Sequence, residues 1–169
     1  CAISNNTCNN LGAGVAASLE GTVVVENCLI VKNISTSSST KGGVYLKGGA
    51  VLRNCTVVGN QAGNGGGSYT DGGGTVENCI LYGNLVTAVP GAGDPDWYNV
   101  GTAAVYRNNC TPVAVGTDCV TASPNFIDPA GGDYRLTAGS PCVDAGAAVA
   151  GFDGISDYYG GTRVSGASI

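Results

Sequence analysis

The sequence contains no histidine and no methionine, and only 11% of its 169 residues are charged. Without histidine, we do not expect a polygalacturonase-like site, in which paired carboxylates work with a supporting histidine and a basic clamp. No run of about 18 apolar residues is present, so no membrane-spanning helix is expected. The net charge of −5 disfavours nucleic acid as a partner, because the phosphate backbone attracts basic surfaces.

Glycine and cysteine, in contrast, are abundant. The 29 glycines exceed the roughly 12 that average usage gives for this length, and a glycine-rich, charge-poor chain suits β-structure with tight turns. Eight cysteines without a C-x-x-C motif favour disulfides in an oxidising compartment over a zinc site. The chain begins at Cys1, so we expect that a signal peptide or upstream region has been removed or that the chain is a fragment. The cysteine count favours an extracellular location.

A repeated segment organises the chain. Its pattern is an apolar residue, a charged residue, asparagine and cysteine, followed by an alternating apolar stretch that ends in asparagine. Clear copies occupy residues 25–33, 52–60 and 76–84, a looser copy occupies 106–112, and the chain opens inside a further copy. The spacings between their cysteines are 27, 27, 24 and 31 residues. Periods of about 20 to 50 residues predict stacked structural units.

The local alternation and the glycine content favour strands over helices within each unit. We therefore predict an all-β fold, a right-handed parallel β-helix (β-solenoid) of about four to five coils with three strands per coil. Residues 1–112 form the coils, and residues 113–169 form an irregular C-terminal cap of the same domain. Trp97 stands where Val44 and Ser68 stand in earlier coils, so we place it at the end of the core.

Alternation also predicts which side chains point inward. Cys28 and Ile30 face the core, while Leu29 and Val31 face outward and are available for sideways packing. The cysteines at the repeat position form an inward stack, either as small buried hydrophobes or as bridges between adjacent coils. Side-chain amides at the preceding position form a ladder at the corner. The stack consists of Cys28, Cys55 and Cys79, and the ladder consists of Asn27, Asn54 and Asn78.

The C-terminal segment carries more specific motifs. These are Ser-Pro-Asn-Phe-Ile-Asp at 123–128, Asp-Tyr-Arg-Leu at 133–136 and Ser-Pro-Cys-Val-Asp-Ala-Gly at 140–146. From about residue 70 onward the chain resembles the choice-of-anchor Q domain of bacterial surface proteins. The resemblance implies surface display and implies no reaction.

Two further sites are possible in the sequence. Cys110 and Cys119 are separated by a short loop, which favours a disulfide between them. Asp153 and Asp157 place oxygen ligands in one loop and are candidates for a structural calcium ion, although turn formation is the simpler role. Apart from such an ion, no cofactor is expected.

Three functions remain open. The first is a non-catalytic surface solenoid that serves display, adhesion or fibre assembly, with copies of itself as partners in end-to-end or lateral contacts. The second is a module that binds surface glycans by stacking them on outward aromatic rings, for which Tyr45, Tyr69 and Tyr82 are the candidates. The third and least favoured is a polysaccharide lyase or hydrolase built on the Glu26, Arg53 and Glu77 stripe, which is more simply a surface ion ladder.

Overall fold

The computed structural model describes residues 1–18, 22–87, 94–101, 103–148 and 157–161. These residues form a parallel β-solenoid of about four turns, followed by a small antiparallel hairpin, and they contain no helix. The all-β solenoid predicted from the repeat is confirmed.

Each coil contains four strands, one more than the sequence predicts. Coil 1 consists of β1 (Ala2–Ser4), β2 (Thr7–Cys8), β3 (Val15–Ala17) and β4 (Val24–Glu26). Coil 2 consists of β5 (Leu29–Val31), β6 (Ile34–Ser35), β7 (Val44–Lys47) and β8 (Val51–Arg53). Coil 3 consists of β9 (Thr56–Val58), β10 (Gln61–Ala62), β11 (Ser68–Asp71) and β12 (Thr75–Glu77). Coil 4 consists of β13 (Ile80–Tyr82), β14 (Leu85–Val86), β15 (Trp97–Val100) and β16 (Val105–Arg107).

Equivalent strands of successive coils pair in parallel and form four sheets. We call them the front sheet (β1, β5, β9, β13), the short sheet (β2, β6, β10, β14), the tyrosine sheet (β3, β7, β11, β15) and the ion-pair sheet (β4, β8, β12, β16). The short sheet is the addition to the prediction. Its strands have two residues each, which is too short for an alternating pattern to be visible in the sequence.

The core changes character along the solenoid. In coil 2, the inward residues of the tyrosine sheet are Val44 and Leu46, both fully buried. Their register partners in coil 3 are Ser68 and Thr70, whose hydroxyls lie 3.5 and 3.4 Å from the hydroxyl of Tyr106. Because these polar groups satisfy one another, the core is able to accommodate them without exposing them to water.

Trp97 lies in register with Ser68 and packs against the edge of the main core. Its ring centroid is 5.9 Å from that of Tyr106, and its indole N–H donates to the carbonyl of Val113 at 3.1 Å. The following residues continue below coil 4, where Thr117 bridges Arg107 and Val120 bridges Cys110. A Cβ at Gly116 would lie 1.8 Å from the carbonyl oxygen of Tyr106, so only glycine permits this close approach.

The described part of the C-terminal segment then turns back along the side of the solenoid. The hairpin of β17 (Phe126–Asp128) and β18 (Asp133–Leu136) packs on the outer face of the front sheet. Leu29 and Val31 are buried against Tyr134, with Phe126 beside them. The expectation that Leu29 and Val31 are available for sideways packing is therefore wrong, because the chain's own hairpin covers them.

Candidate functional site

Two corners of each coil have a left-handed backbone, and asparagine occupies every left-handed position at one of them. The corner that leads into the front sheet is made by Asn27, Asn54, Asn78 and Asn108, with φ between 51 and 54°. We call it the entry corner. The corner that leaves the front sheet is made by Asn5, Lys32, Gly59 and Gly83, with φ between 56 and 67°. The residues that follow this second corner are again asparagines, and they point inward.

The asparagine ladder lies at this second corner and not at Asn27, Asn54 and Asn78. The amide of Asn33 donates to the amide oxygen of Asn60 at 2.9 Å, and Asn60 donates in turn to Asn84 at 3.0 Å. The ladder begins at Asn6 and ends on Asp96, whose Oδ1 accepts two bonds of 2.8 Å from Asn84. The predicted position is wrong because the positive φ of the entry corner turns those side chains away from the core.

The entry-corner asparagines instead face the C-terminal segment. The side-chain amide of Asn78 pairs with the backbone of Ala147, donating to its carbonyl at 2.8 Å and accepting from its N–H at 3.0 Å. Asn54 and Asn27, one and two coils away, line a cleft. The buried Oδ1 of Asn27 has no hydrogen-bond partner in the part of the chain that the structure describes. Buried polar atoms normally have a partner, so the unused acceptor capacity of this oxygen at the cleft calls for an explanation.

The cleft has a volume of about 320 Å³ and lies between the front sheet, the hairpin and residues 157–159. We call it the corner cleft. Its walls combine amides from Asn27 and Asn54 with the side chains of Arg135, Tyr158 and Tyr159. Tyr158 and Tyr159 are 50% and 42% exposed, and their rings meet edge to face at a centroid distance of 5.0 Å. Aromatic side chains of this kind offer an apolar face and a polar edge to a ligand.

The charges around the corner cleft are largely matched within the protein. Arg135 forms an ion pair of 2.6 Å with Asp133 and lies 5.5 Å from the ring of Tyr159. Hydrogen bonds from Arg135 lower the pKa of Asp133. The hydroxyl of Tyr159 accepts from the backbone N–H of Tyr134 at 2.9 Å, and burial raises the pKa of Tyr159. The cleft is therefore polar but has little net charge.

Asp157 is part of the same cleft, and one oxygen of its carboxylate is already engaged. Its Oδ1 accepts the backbone N–H groups of Tyr159 and Gly161, each at 2.8 Å, and so closes the turn 157–161. Asp153, the other candidate calcium ligand, lies outside the described residues. Within the described ranges, no three carboxylate or thiol groups are placed to hold a metal ion. A calcium ion at Asp153 and Asp157 stays a prediction.

The tyrosines suggested for glycan stacking do not form one exposed row. Tyr45, Tyr69 and Tyr98 stack along the tyrosine sheet, with ring centroids 5.9 and 5.2 Å apart, whereas Tyr82 lies on the front sheet. Tyr45 and Tyr69 are buried, with 3% and 6% exposure. The expectation of accessible rings at these two positions is wrong. Burial and the Asp71 carboxylate, which accepts the Tyr45 hydroxyl at 2.8 Å, raise the pKa of Tyr45 to about 12.

The repeat cysteines lie on the inner side of the front-sheet corner. Cys55 and Cys79 belong to the main core, Cys28 packs against it, and the sulfur of Cys1 lies 3.1 Å from that of Cys28. In the turn that follows coil 4 the equivalent position is held by Asn109, so Cys110 is shifted by one residue and faces outward. The sulfur of Cys119 lies 3.6 Å from the hydroxyl of Thr111, and a Cys110–Cys119 disulfide stays a prediction.

The charged stripe of the ion-pair sheet is a surface ion ladder. Arg53 and Glu26 are 2.6 Å apart, and Arg107 and Glu77 are 2.5 Å apart. Arg107 extends the stripe by one coil beyond the residues named from the sequence. Each acid is engaged by an arginine on the neighbouring coil, so both act in pairing across the sheet.

Some residues of the corner cleft carry a signal in the sequence, and some do not. The asparagine that precedes the repeat cysteine is visible, but its left-handed φ decides which way it points. Tyr158 and Tyr159 stand in a Tyr-Tyr-Gly-Gly stretch that resembles an ordinary turn, and only the folding-back of the C-terminal segment brings them to coil 2.

Across the described residues, no helix is long and apolar enough to cross a membrane. Comparison with protein-family models, with curated proteins and with solved structures finds no match to this chain.

Proposed function

We propose that this chain is a non-catalytic, extracellular solenoid of a bacterial surface protein, and that it serves adhesion by binding carbohydrate in the corner cleft. The observation that carries the proposal is the unpartnered, buried Oδ1 of Asn27 in a cleft that also contains exposed tyrosine rings. A sugar fits both features, because its hydroxyls donate hydrogen bonds and its C–H faces pack on aromatic rings.

The size and the charge of the corner cleft narrow the ligand class. A volume of about 320 Å³ is at the lower end of the range for small-molecule sites, which suits one or two sugar rings. Arg135 is neutralised by Asp133, and Asp157 is occupied by its own turn. A neutral saccharide therefore fits better than an acidic or a phosphorylated one. The same engagement of the nearby carboxylates is the reason for proposing binding without a reaction.

The surface location rests on the sequence. The motifs at 133–136 and 140–146 are the specific part of the resemblance to the choice-of-anchor Q domain, and the high cysteine content favours an oxidising compartment. We infer display on a bacterial surface from these motifs.

The test is a glycan array followed by calorimetric titration with the saccharides that bind. We expect Asn27→Gly to weaken binding at least tenfold, because it removes the amide while glycine keeps the left-handed backbone. Asn5→Gly is the matched control, since Asn5 is exposed, has φ 56° and lies outside the cleft. Absence of binding to any glycan, or equal affinity of both variants and the wild type, would overturn the proposal. Binding of a peptide instead of a glycan would also overturn it.

Lateral self-association is a second candidate function, favoured by the outer face of the ion-pair sheet. Val24 and Val105 are 43% and 45% exposed there, beside the ion ladder. Charge alternates along the ladder from coil 1 to coil 4 in the order Glu, Arg, Glu, Arg. A second copy of this chain in antiparallel orientation would place every acid opposite an arginine, which makes this face self-complementary.

Sedimentation velocity distinguishes this candidate. Arg53→Glu breaks the alternation, so we expect a dimer of the wild type to dissociate in this variant. Lys32→Glu makes the same charge change at an exposed position on a different corner and is the control. A wild type that sediments as a monomer up to the highest soluble concentration would exclude this mode of association.

A further inference from the structure

Cys110 and Cys142 meet where the C-terminal segment docks on the last coil. Cys110 lies opposite Ile80 in the ladder of the front sheet, and Cys142 belongs to the turn that follows the hairpin. Both side chains are fully buried, and together with Ile80 they form one cluster. The two residues are 32 positions apart in the sequence, so their contact is a tertiary one.

Hydrogen bonds fix the backbone of both cysteines. The backbone N–H of Cys110 donates to the carbonyl of Cys79 at 2.8 Å, and the carbonyl of Cys110 accepts from the backbone N–H of Leu81 at 2.9 Å. The N–H of Cys142 donates to the hydroxyl of Ser140 at 3.1 Å, and that hydroxyl donates to the carbonyl of Pro124 at 2.6 Å. A cross-link between two positions that are already fixed loses little further freedom in the folded state.

The two thiols share one buried cluster and influence each other's ionisation. A hydrogen bond from Cys110, supported by Ser140, lowers the pKa of Cys142, while the same contact and burial raise the pKa of Cys110.

Cys119 is placed differently. Its neighbour Val120 is the residue that bridges Cys110, and successive side chains of an extended segment point to opposite sides. The sulfur of Cys119 accordingly lies beside Thr111 and the carbonyl of Val120, at 3.6 and 3.8 Å.

We propose that Cys110 and Cys142 form a disulfide that fastens the C-terminal hairpin to the last coil. The oxidant is a disulfide, either of a small thiol compound or of a thiol oxidoreductase. One of the two cysteines attacks, as its thiolate, one sulfur of the oxidant and releases one thiolate, which leaves a mixed disulfide. The other cysteine, after losing its proton, attacks the protein sulfur of this mixed disulfide and releases the second thiolate. The protein loses two protons and two electrons, and the oxidant becomes two thiols. Since both sulfurs are buried in the folded state, the exchange takes place before the hairpin has docked.

The experiment is to refold the full chain in a mixture of oxidised and reduced glutathione, to block free thiols with N-ethylmaleimide, and to map the peptides. Cleavage by trypsin after Arg107 and Arg135, together with cleavage before each aspartate, separates the three cysteines. It gives peptides 108–117, 118–127 and 136–143. We expect peptide 108–117 to be linked to 136–143, and Cys119 to carry the maleimide.

A link between Cys110 and Cys119, a link between Cys119 and Cys142, or alkylation of all three thiols would overturn the proposal. A reductant should also lower the melting temperature of the wild type and of Cys119→Ser by the same amount. It should leave the melting temperature of Cys142→Ala unchanged. An equal reductant effect in Cys142→Ala would show that another disulfide is responsible.

Discussion

At the scale of single residues, position relative to the corner decides what an asparagine does. Asn27 and Asn33 belong to the same repeat copy, yet one lines an outer cleft and the other is fully buried in the ladder. Both are visible in the sequence as repeated asparagines. Their directions were not predictable, because they depend on a left-handed φ at one corner and on the inward turn of the next. Alternation applies within a strand and does not extend across such a corner.

Asp96 is a buried acid whose ionisation affects the stability of the fold. It ends the ladder and is 3% exposed, and burial raises its pKa to about 6 from an ordinary value of 3.8. The folded state therefore binds this proton more tightly than the unfolded state does. The stabilising contribution of protonation is complete below about pH 3.8 and is lost as the pH rises through about 6. A difference of this size corresponds to about 3 kcal/mol at neutral pH.

We expect Asp96→Asn to remove this pH dependence. Relative to the wild type, the free energy of unfolding of the variant should rise by up to about 3 kcal/mol between pH 4 and pH 7.5, because the variant keeps a neutral acceptor for Asn84. Urea denaturation at several pH values measures it. Asp118→Asn, at an exposed position with φ 52°, should change little at any pH. Parallel pH profiles for Asp96→Asn and the wild type would contradict the assignment.

At the scale of elements, the hairpin and the front sheet share an interface that alternation could predict only in part. The outward direction of Leu29 and Val31 followed from the period of two. What covers them did not, since β17 and β18 are short and lie about 100 residues further along the chain. The short sheet was missed for a similar reason, because two-residue strands have no periodicity to detect.

Tyr134 is the anchor of this interface. It is buried against Leu29 and Val31, and its ring meets Phe126 edge to face at 5.5 Å. We expect Tyr134→Ala to lower the free energy of unfolding by about 3 kcal/mol, within the range for truncating a buried aromatic residue. Hydrogen exchange should accelerate in the hairpin and on Leu29–Val31, while the ion-pair sheet stays protected.

Ile127→Ala is the control within the same hairpin, because Ile127 is 51% exposed and faces away from the interface. Equal destabilisation by both variants would mean that the hairpin does not depend on this packing.

At the scale of the whole molecule, stability is collective because one coil cannot bury its own inner face. The repeat period was sufficient to predict the solenoid, since it fixes which residues stack. The corner cleft was not predictable, because it combines coils 1 to 4 with a segment outside the repeat. The ladder from Asn6 to Asp96 runs through the same coils and links them by buried amides.

Asn60→Ala tests this linkage. It leaves the N–H and amide of Asn33 without their acceptor and the carbonyl of Ile30 without its donor, so we expect a loss of at least about 3 kcal/mol. Circular dichroism and the fluorescence of Trp97, the single tryptophan, should report one common transition at a lower temperature. Asn9→Ala, at an exposed position, should melt like the wild type. A Trp97 transition that stays at the wild-type temperature would show that the coils unfold independently.

The placement of the hairpin also has a mechanical consequence. Hydrogen bonds between coils run along the solenoid axis, so a pull along that axis loads them in series and would separate one coil after another. The hairpin packs on the outer face of coils 2, 3 and 4 through Leu29, Val58 and Ile80, so it bridges the interfaces between these coils. Under tension, the solenoid should therefore yield first between coils 1 and 2, because the hairpin does not bridge that interface.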